Sequence, residues 1–216
     1  MTNLASSAAL RLAELLANRL CHDLSGPLNG LGAGLAEAAA CSAMAAEGAA
    51  LAQEAATVAI RRLILLRAAW GQAGDSLDRA SLEHLASGLP GRRIRLDCSH
   101  LAPESRFAPL ASRLLLNVLL LAVESLPRGG TIALQGDAAS GVVILIDGPH
   151  AAWPDTLPGL LAAPDRIHEV LRDATPRDIQ APLTVLMAAD AGQRLSLLLG
   201  AAATAAPPLL VSQIDR

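Results

Sequence analysis

The chain has 216 residues, 52% of them hydrophobic and 17% charged, which gives it the apolar content for a buried core and excludes a disordered segment. A net charge of −3 leaves no broad basic surface for DNA or RNA, and 1% aromatic residues leave no stacking platform for single strands. The core must therefore be aliphatic, which suits packed helices.

A mean hydropathy of +0.41 raises the question of a membrane span. The longest uncharged run, Leu195 to Ile214, is broken by Gly200 and by Pro207-Pro208, and reads as two strands around a turn. The first residues lack a basic region followed by an apolar one, so no signal peptide is expected. Cys21, Cys41 and Cys98 are odd in number and widely spaced, which fits free thiols in a reducing cytoplasm.

Residues 6–72 read as helical almost throughout. Ala13, Leu16, Leu20, Leu24, Leu28, Leu31 and Leu35 recur at steps of three and four, the stripe of an amphipathic helix. Gly48 is a candidate turn, and a second helix is predicted from about Ala50 to Trp70, with Leu51, Ala55, Val58, Leu65 and Ala69 on one face. Both helices are apolar over more than one seam, so the expected arrangement is a dimer in which two hairpins form a four-helix bundle.

From residue 76 the pattern changes. A short helix is expected over Ser76 to Ser87, a strand over "RRIRLDC", and a long apolar helix over "FAPLASRLLLNVLLLAVESLP", ended by Pro127. "TIALQG" and "VVILID" read as strands, residues 153–172 as irregular or partly helical, and "RLSLLLG" and "PPLLVSQI" as closing strands. Before them a helix is marked by Thr175 as cap, Pro176 at its first position and Gly192 past its end, with Pro182 warning of a late start or a kink. The expected fold class is α+β: a helical hairpin domain at 1–74 and an α/β sandwich at 75–216, its mixed sheet covered on one face by helices.

The segment "CHDLSGPL" stands out. At about 100° per residue, His22 lies about 200° from both Leu20 and Leu24, so it faces away from the stripe towards solvent. Gly26, one turn later on the same side, leaves no side chain in the way, and Ser25 is also small. Pro27 removes a backbone hydrogen bond and is expected to bend the helix. Arg19, one turn earlier, places a cation near the ring. An accessible imidazole beside a positive charge suits a macromolecular phosphate donor.

The run His22-Asp23-Leu24-Ser25-Gly26-Pro27 resembles the His-acid-Leu-x-x-Pro box of histidine-kinase dimerisation domains. "LLLNVLLLAVESLPRGG", "LIDGPH" and "APLTVLMAADAGQRLSL" resemble, in order, pieces of the kinase ATP-binding (Bergerat) fold. The departures matter. Asn117 occupies the first asparagine of the kinase N-box, but Leu121 stands where an asparagine holds magnesium and Glu124 where a lysine is expected. Asp147-Gly148-Pro149-His150 lacks the glycine-box spacing, and no Walker A sequence occurs. A kinase-like hairpin followed by a degenerate ATPase-like domain resembles the ChpT-type histidine phosphotransferases. Leu20 to Leu24 with Pro27, and Leu114 to Gly130, match that family's pattern.

The resemblance implies a cytoplasmic homodimer that is a phosphorelay carrier. His22 would accept a phosphoryl group from the receiver domain of a hybrid histidine kinase and pass it to the aspartate of a response regulator. It implies no cofactor of the chain's own, since the receiver brings Mg2+, and no nucleic-acid or membrane partner. Asp23 would orient or polarise the ring, or engage a group on the receiver. Arg19 would offset phosphate charge, and Ser25, Gly26 and Asn29 are docking candidates by position. Cys98-Ser99-His100 has no second ligand pair, so no metal site is expected. The alternatives are an ATP-dependent histidine kinase with an atypical nucleotide site and a receiver-docking module that carries no phosphate.

Overall fold

The computed structural model describes residues 2–40, 44–91, 93–198 and 206–214. Two long helices, α1 (Thr2–Ala40) and α2 (Ala45–Trp70), form the hairpin, and α1 runs unbroken through Pro27. Gly48, expected at a turn, instead lies near the start of α2. A Cβ there would stand 2.7 Å from the Gly34 carbonyl oxygen, and one on Gly34 would stand 2.6 Å from the Ala52 nitrogen. The two backbones touch, and only glycine permits that approach.

This contact has a consequence for the leucine stripe. Helix α1 meets α2 through Gly30, Gly34 and Ala38, so the stripe is not the face that packs on α2. Leu28 and Leu35 remain 53% and 57% exposed, while Leu15, off the stripe, is buried. On α2 the buried residues are Gly48, Ala52, Arg62, Leu65, Leu66 and Ala69; Leu51 and Val58, expected on the packed face, are exposed.

The remaining chain is an α/β layer. Strand β1 (Leu77–Asp78) pairs antiparallel with β3 (Arg106–Phe107), and α3 (Arg79–Ala86) follows β1 directly. The helix expected over 76–87 starts late because the Asp78 carboxylate caps it, accepting from the Ser81 N–H at 2.9 Å. Helix α4 (Pro109–Glu124) joins β2 (Ile94–Leu101) to its parallel neighbour β4 (Gly130–Asp137), and β5 (Gly141–Asp147) pairs antiparallel with β4. Helices α5 (Thr156–Ala162), α6 (Ile167–Asp173) and α7 (Gln180–Asp190) precede β6 (Gln193–Leu197) and β7 (Leu209–Gln213). Among the described residues the main sheet is mixed, with order β2-β4-β5-β7-β6. The link between β6 and β7 lies outside the described residues.

Alternation along the strands buries Ile132 and Leu134 of β4 and Val142, Ile144 and Ile146 of β5. They share one core with Leu114 to Ala122 of α4 (apart from Asn117), with Leu183 of α7, and with Leu15, Leu65, Leu66 and Ala69 of the hairpin. The upper hairpin is thus built into the same apolar interior as the sheet layer. The α+β class read from the sequence is the architecture observed.

One further local expectation is corrected. Helix α7 begins at Gln180, five residues after Thr175. Thr175 and Asp178 close a separate turn, with the Thr175 N–H and hydroxyl both donating to Asp178. Pro182 then falls on the third helical position, where its missing N–H would have had no helical partner anyway. Asn117, the retained N-box asparagine, is fully buried. Its Nδ2 donates to the carbonyls of Ala69 at 2.8 Å and Arg113 at 2.9 Å, and it accepts from Gln180 Nε2 at 3.1 Å. One carboxamide therefore joins α2, α4 and α7. Asn117→Ala is expected to leave the Gln180 amide and the Ala69 carbonyl without this partner and to lower stability by about 2–4 kcal/mol. Urea unfolding checks this; a change near zero would show that the joint contributes nothing.

Candidate functional site

His22 lies midway along α1, on the side away from the exposed leucines, with its side chain 62% exposed. Its Nδ1 lies 3.2 Å from Asp23 Oδ1. That oxygen also accepts from Arg19 Nε at 3.0 Å. A carboxylate oxygen has no proton to give, so the proton of this contact sits on the imidazole Nδ1. The tautomer this favours leaves the lone pair on Nε2, the nitrogen facing solvent.

Arg19 is not a surface cation. Its side chain and that of Asp23 are each only 11% exposed. Besides Asp23 it binds Glu124 at the end of α4, with NH2 2.6 Å from Oε1, and its NH1 donates to the Pro176 carbonyl at 3.2 Å. Burial works against the Arg19 charge, but Glu124 and Asp23 outweigh it and hold the guanidinium firmly protonated. Eight residues earlier, Arg11 NH2 donates to the Ala174 carbonyl at 3.1 Å. The segment at 174–178 is thus stitched to α1 at two points. His22, Asp23, Arg19 and Glu124 form one continuous polar chain from the exposed ring into the junction with the α/β layer.

A second arginine faces the cluster from α2. Arg62 is 7% exposed, and its Nε and NH1 are buried without a hydrogen-bond partner, as is Asp23 Oδ2. Burial lowers the Arg62 pKa; Asp23 opposes this and Arg19 adds to it. Arg19 and Arg62 against Asp23 and Glu124 make a nearly buried group of two positive and two negative charges, which offset one another where a lone ion would be costly.

Below His22 the helix surface is stripped. Ser25, Gly26 and Asn29 are exposed, and a Cβ on Gly26 would meet nothing within 4 Å. The Ser25 hydroxyl is turned back onto the Cys21 carbonyl at 2.6 Å. Pro27 has no N–H, so the Asp23 carbonyl lacks its usual helical donor. A groove of about 590 Å³ opens here, lined by Gly26, Pro27, Gly30 and Ala33 of α1, Arg62 of α2 and Gly88 beyond α3.

The sequence reading placed His22, Asp23 and Arg19 near one another, but it set Arg19 beside the ring and facing solvent. The structure turns Arg19 inward to Asp23 and Glu124. Glu124 and Arg62 were missed as members of the site. Glu124 had been read only as a lost nucleotide-site lysine. The available signal was a lone acid closing an apolar helix, opposite a lone arginine on another apolar segment. His84, His100, His150 and His168 lie exposed and apart. Cys98 is buried, and burial pushes its thiol up to about 11, while His100 is exposed.

Residues 79–203 match the family of histidine phosphotransferase C-terminal domains, and the chain belongs to the histidine phosphotransferase family. That match covers the α/β layer and leaves His22 outside it. Wider relatives include the hairpin. Protein phosphotransferase ChpT of Brucella abortus (strain 2308) is 27% identical over 212 residues, covering 88% of this chain and 91% of its own length. A solved bacterial phosphotransferase superposes with a TM-score of 0.71 at 26% identity, over 94% of this chain and 96% of that one.

The junction carries a pH signature. Burial pushes the Glu124 carboxyl from its ordinary value near 4.5 up to about 7, against the pull of Arg19. Between these values the folded protein holds a proton that the unfolded chain releases, so this group's contribution to stability falls as pH rises, by roughly 3 kcal/mol at most. Glu124→Gln removes that dependence. Urea unfolding from pH 5 to pH 8 should move in the variant's favour by about 2–3 kcal/mol; a difference that is flat with pH would contradict the assignment.

Proposed function

We propose that the chain is a phosphorelay carrier in which His22 takes a phosphoryl group from a receiver-domain aspartyl phosphate and gives it to the aspartate of a response regulator. The observation that carries this reading is the exposed His22 ring with Nδ1 held by Asp23 and Nε2 open, in a member of the histidine phosphotransferase family. Nε2 attacks phosphorus, the P–O bond to the receiver aspartate breaks, and that carboxylate leaves with its electron pair. The ring gains positive character as the N–P bond forms, and the Asp23 carboxylate on Nδ1 stabilises it. The return step reverses these bonds onto a second carboxylate. Transfer through a loose transition state needs mainly alignment and charge balance. The receiver supplies the Mg2+, so this chain has to present an aligned imidazole and a clear approach. The groove beside Gly26 and Pro27 gives a docking element room to reach it.

Transfer without ATP is part of the proposal. Leu121 is fully buried where a magnesium ligand would be needed, and the Asn117 amide is occupied within the fold. Gly148, in the run that replaces the first glycine box, packs against the backbone of Gly129 and Gly130. We also place the chain in the cytoplasm as a homodimer. Among the described residues no helix is long and apolar enough to cross a membrane. The exposed Leu28 and Leu35 of α1, with Ile60, Leu63 and Ile64 of α2, supply an apolar surface for a second hairpin.

Two outcomes check this reading. His22→Gln should abolish labelling from a phosphorylated receiver and onward transfer to a second receiver, while wild type should gain no label from ATP and Mg2+. Transfer that survives the substitution would refute the carrier role, and labelling from ATP would restore the kinase alternative. Leu28→Glu with Leu35→Glu should convert a dimer to a monomer in analytical ultracentrifugation; an unchanged mass would place the interface elsewhere.

A further inference from the structure

We infer that Glu124 is a positioning residue for phosphoryl transfer: through Arg19 it holds the Asp23 carboxylate on His22 Nδ1, and so makes the ring's readiness depend on how the α/β layer is seated on the hairpin. The inference rests on His22 being the phosphoryl carrier and adds a residue, 102 positions away in sequence, that touches neither the ring nor a partner.

The geometry is directional. Asp23 has two sources of cationic support, and they differ. Arg19 Nε lies 3.0 Å from Oδ1, the oxygen that meets the ring, whereas Arg62 faces the cluster with its buried Nε and NH1 unpaired. The position of Oδ1 is therefore set by Arg19. Arg19 in turn spans α1 and the α/β layer, and its shortest contact is the one to Glu124. Glu124 is the last residue of α4. Its place follows from the turn of α4 that precedes it, where Leu119, Leu120, Leu121 and Ala122 are all buried in the core. Displacing or neutralising Glu124 frees Arg19 to tilt, and Asp23 then loses the partner that aims Oδ1 at Nδ1.

The charged groups that face Glu124 are Arg19 and Asp23 from α1 and Asp178 from the turn before α7, with Arg93 and Arg128 lining the adjoining cleft. Of these only Arg19 makes an ion pair with it. Ionising a carboxyl in so enclosed a place, where burial pushes it up to about 7, is costly to the fold. That cost is understandable if the ion pair serves the histidine.

The experiment compares wild type with Glu124→Gln, an isostere without charge, Glu124→Asp, which keeps the charge, and Arg19→Lys, which cannot span both carboxylates. Nitrogen-15 NMR of the His22 ring reads the tautomer, and transfer from a phosphorylated receiver reads kcat and KM. Glu124→Gln should move the ring from Nδ1–H towards a mixture and lower kcat by roughly 10-fold with KM within about twofold, the size of effect seen when a carboxylate supporting a histidine is removed elsewhere. Arg19→Lys should act in the same direction, and Glu124→Asp should recover part of the loss. The wild-type advantage over Glu124→Gln should be about half developed near pH 7, approach its full size roughly one pH unit higher, and shrink below pH 7. An unchanged tautomer and kcat in Glu124→Gln, with or without a change in melting temperature, would overturn the inference. If wild type itself carries no phosphate on His22, the parent reading falls, and the ring spectra still decide the positioning role.

Discussion

Arg19 is the constraint on which the rest of this structure hangs. A guanidinium on a long amphipathic helix would ordinarily lie in water. Here it is drawn inside by two carboxylates and a backbone carbonyl that come from three separate stretches of chain. A planar fork with five N–H groups can meet such a demand, and an ammonium could not. The hairpin cannot rotate on the α/β layer without breaking these contacts. The exposed histidine is therefore held at a defined attitude to a domain that it does not touch.

The α/β layer is held to the hairpin by polar side chains as well as by its apolar core. Here Asn117 faces Ala69, Arg113 and Gln180, and becomes the peg of a three-helix joint. Leu121 fills the interior, and Glu124 reaches to the hairpin. These positions serve packing and orientation. The family match falls on this layer, while His22 lies in the hairpin before it.

The parts of this organisation that follow from period and composition were legible in the sequence. The two long helices, the β4–β5 pair and α4 come from runs of apolar residues at helical or alternating spacing, and the open side of His22 comes from helical geometry alone. What escaped were relations between distant residues. The small-residue seam of Gly34 and Gly48 looked like a turn, because a glycine needed for close approach and a glycine needed for a bend are the same letter. The start of α7 was misplaced because Thr175 and Asp178 cap one another in a turn of their own. Arg19 and Glu124 carry no local mark of their pairing, since an ion pair between helices depends on the tertiary fold.

The openness of His22 also sets a time scale. The His22 side chain is 62% exposed. A phosphoryl group placed there would stand in water on a nitrogen–phosphorus bond, which is labile by nature, and the surrounding surface of glycine and serine offers it little cover. Such a site is poorly suited to storage. On the carrier reading proposed above, the protein is a conduit rather than a reservoir, and its signal follows how often partners arrive, not how long the phosphoryl group is kept.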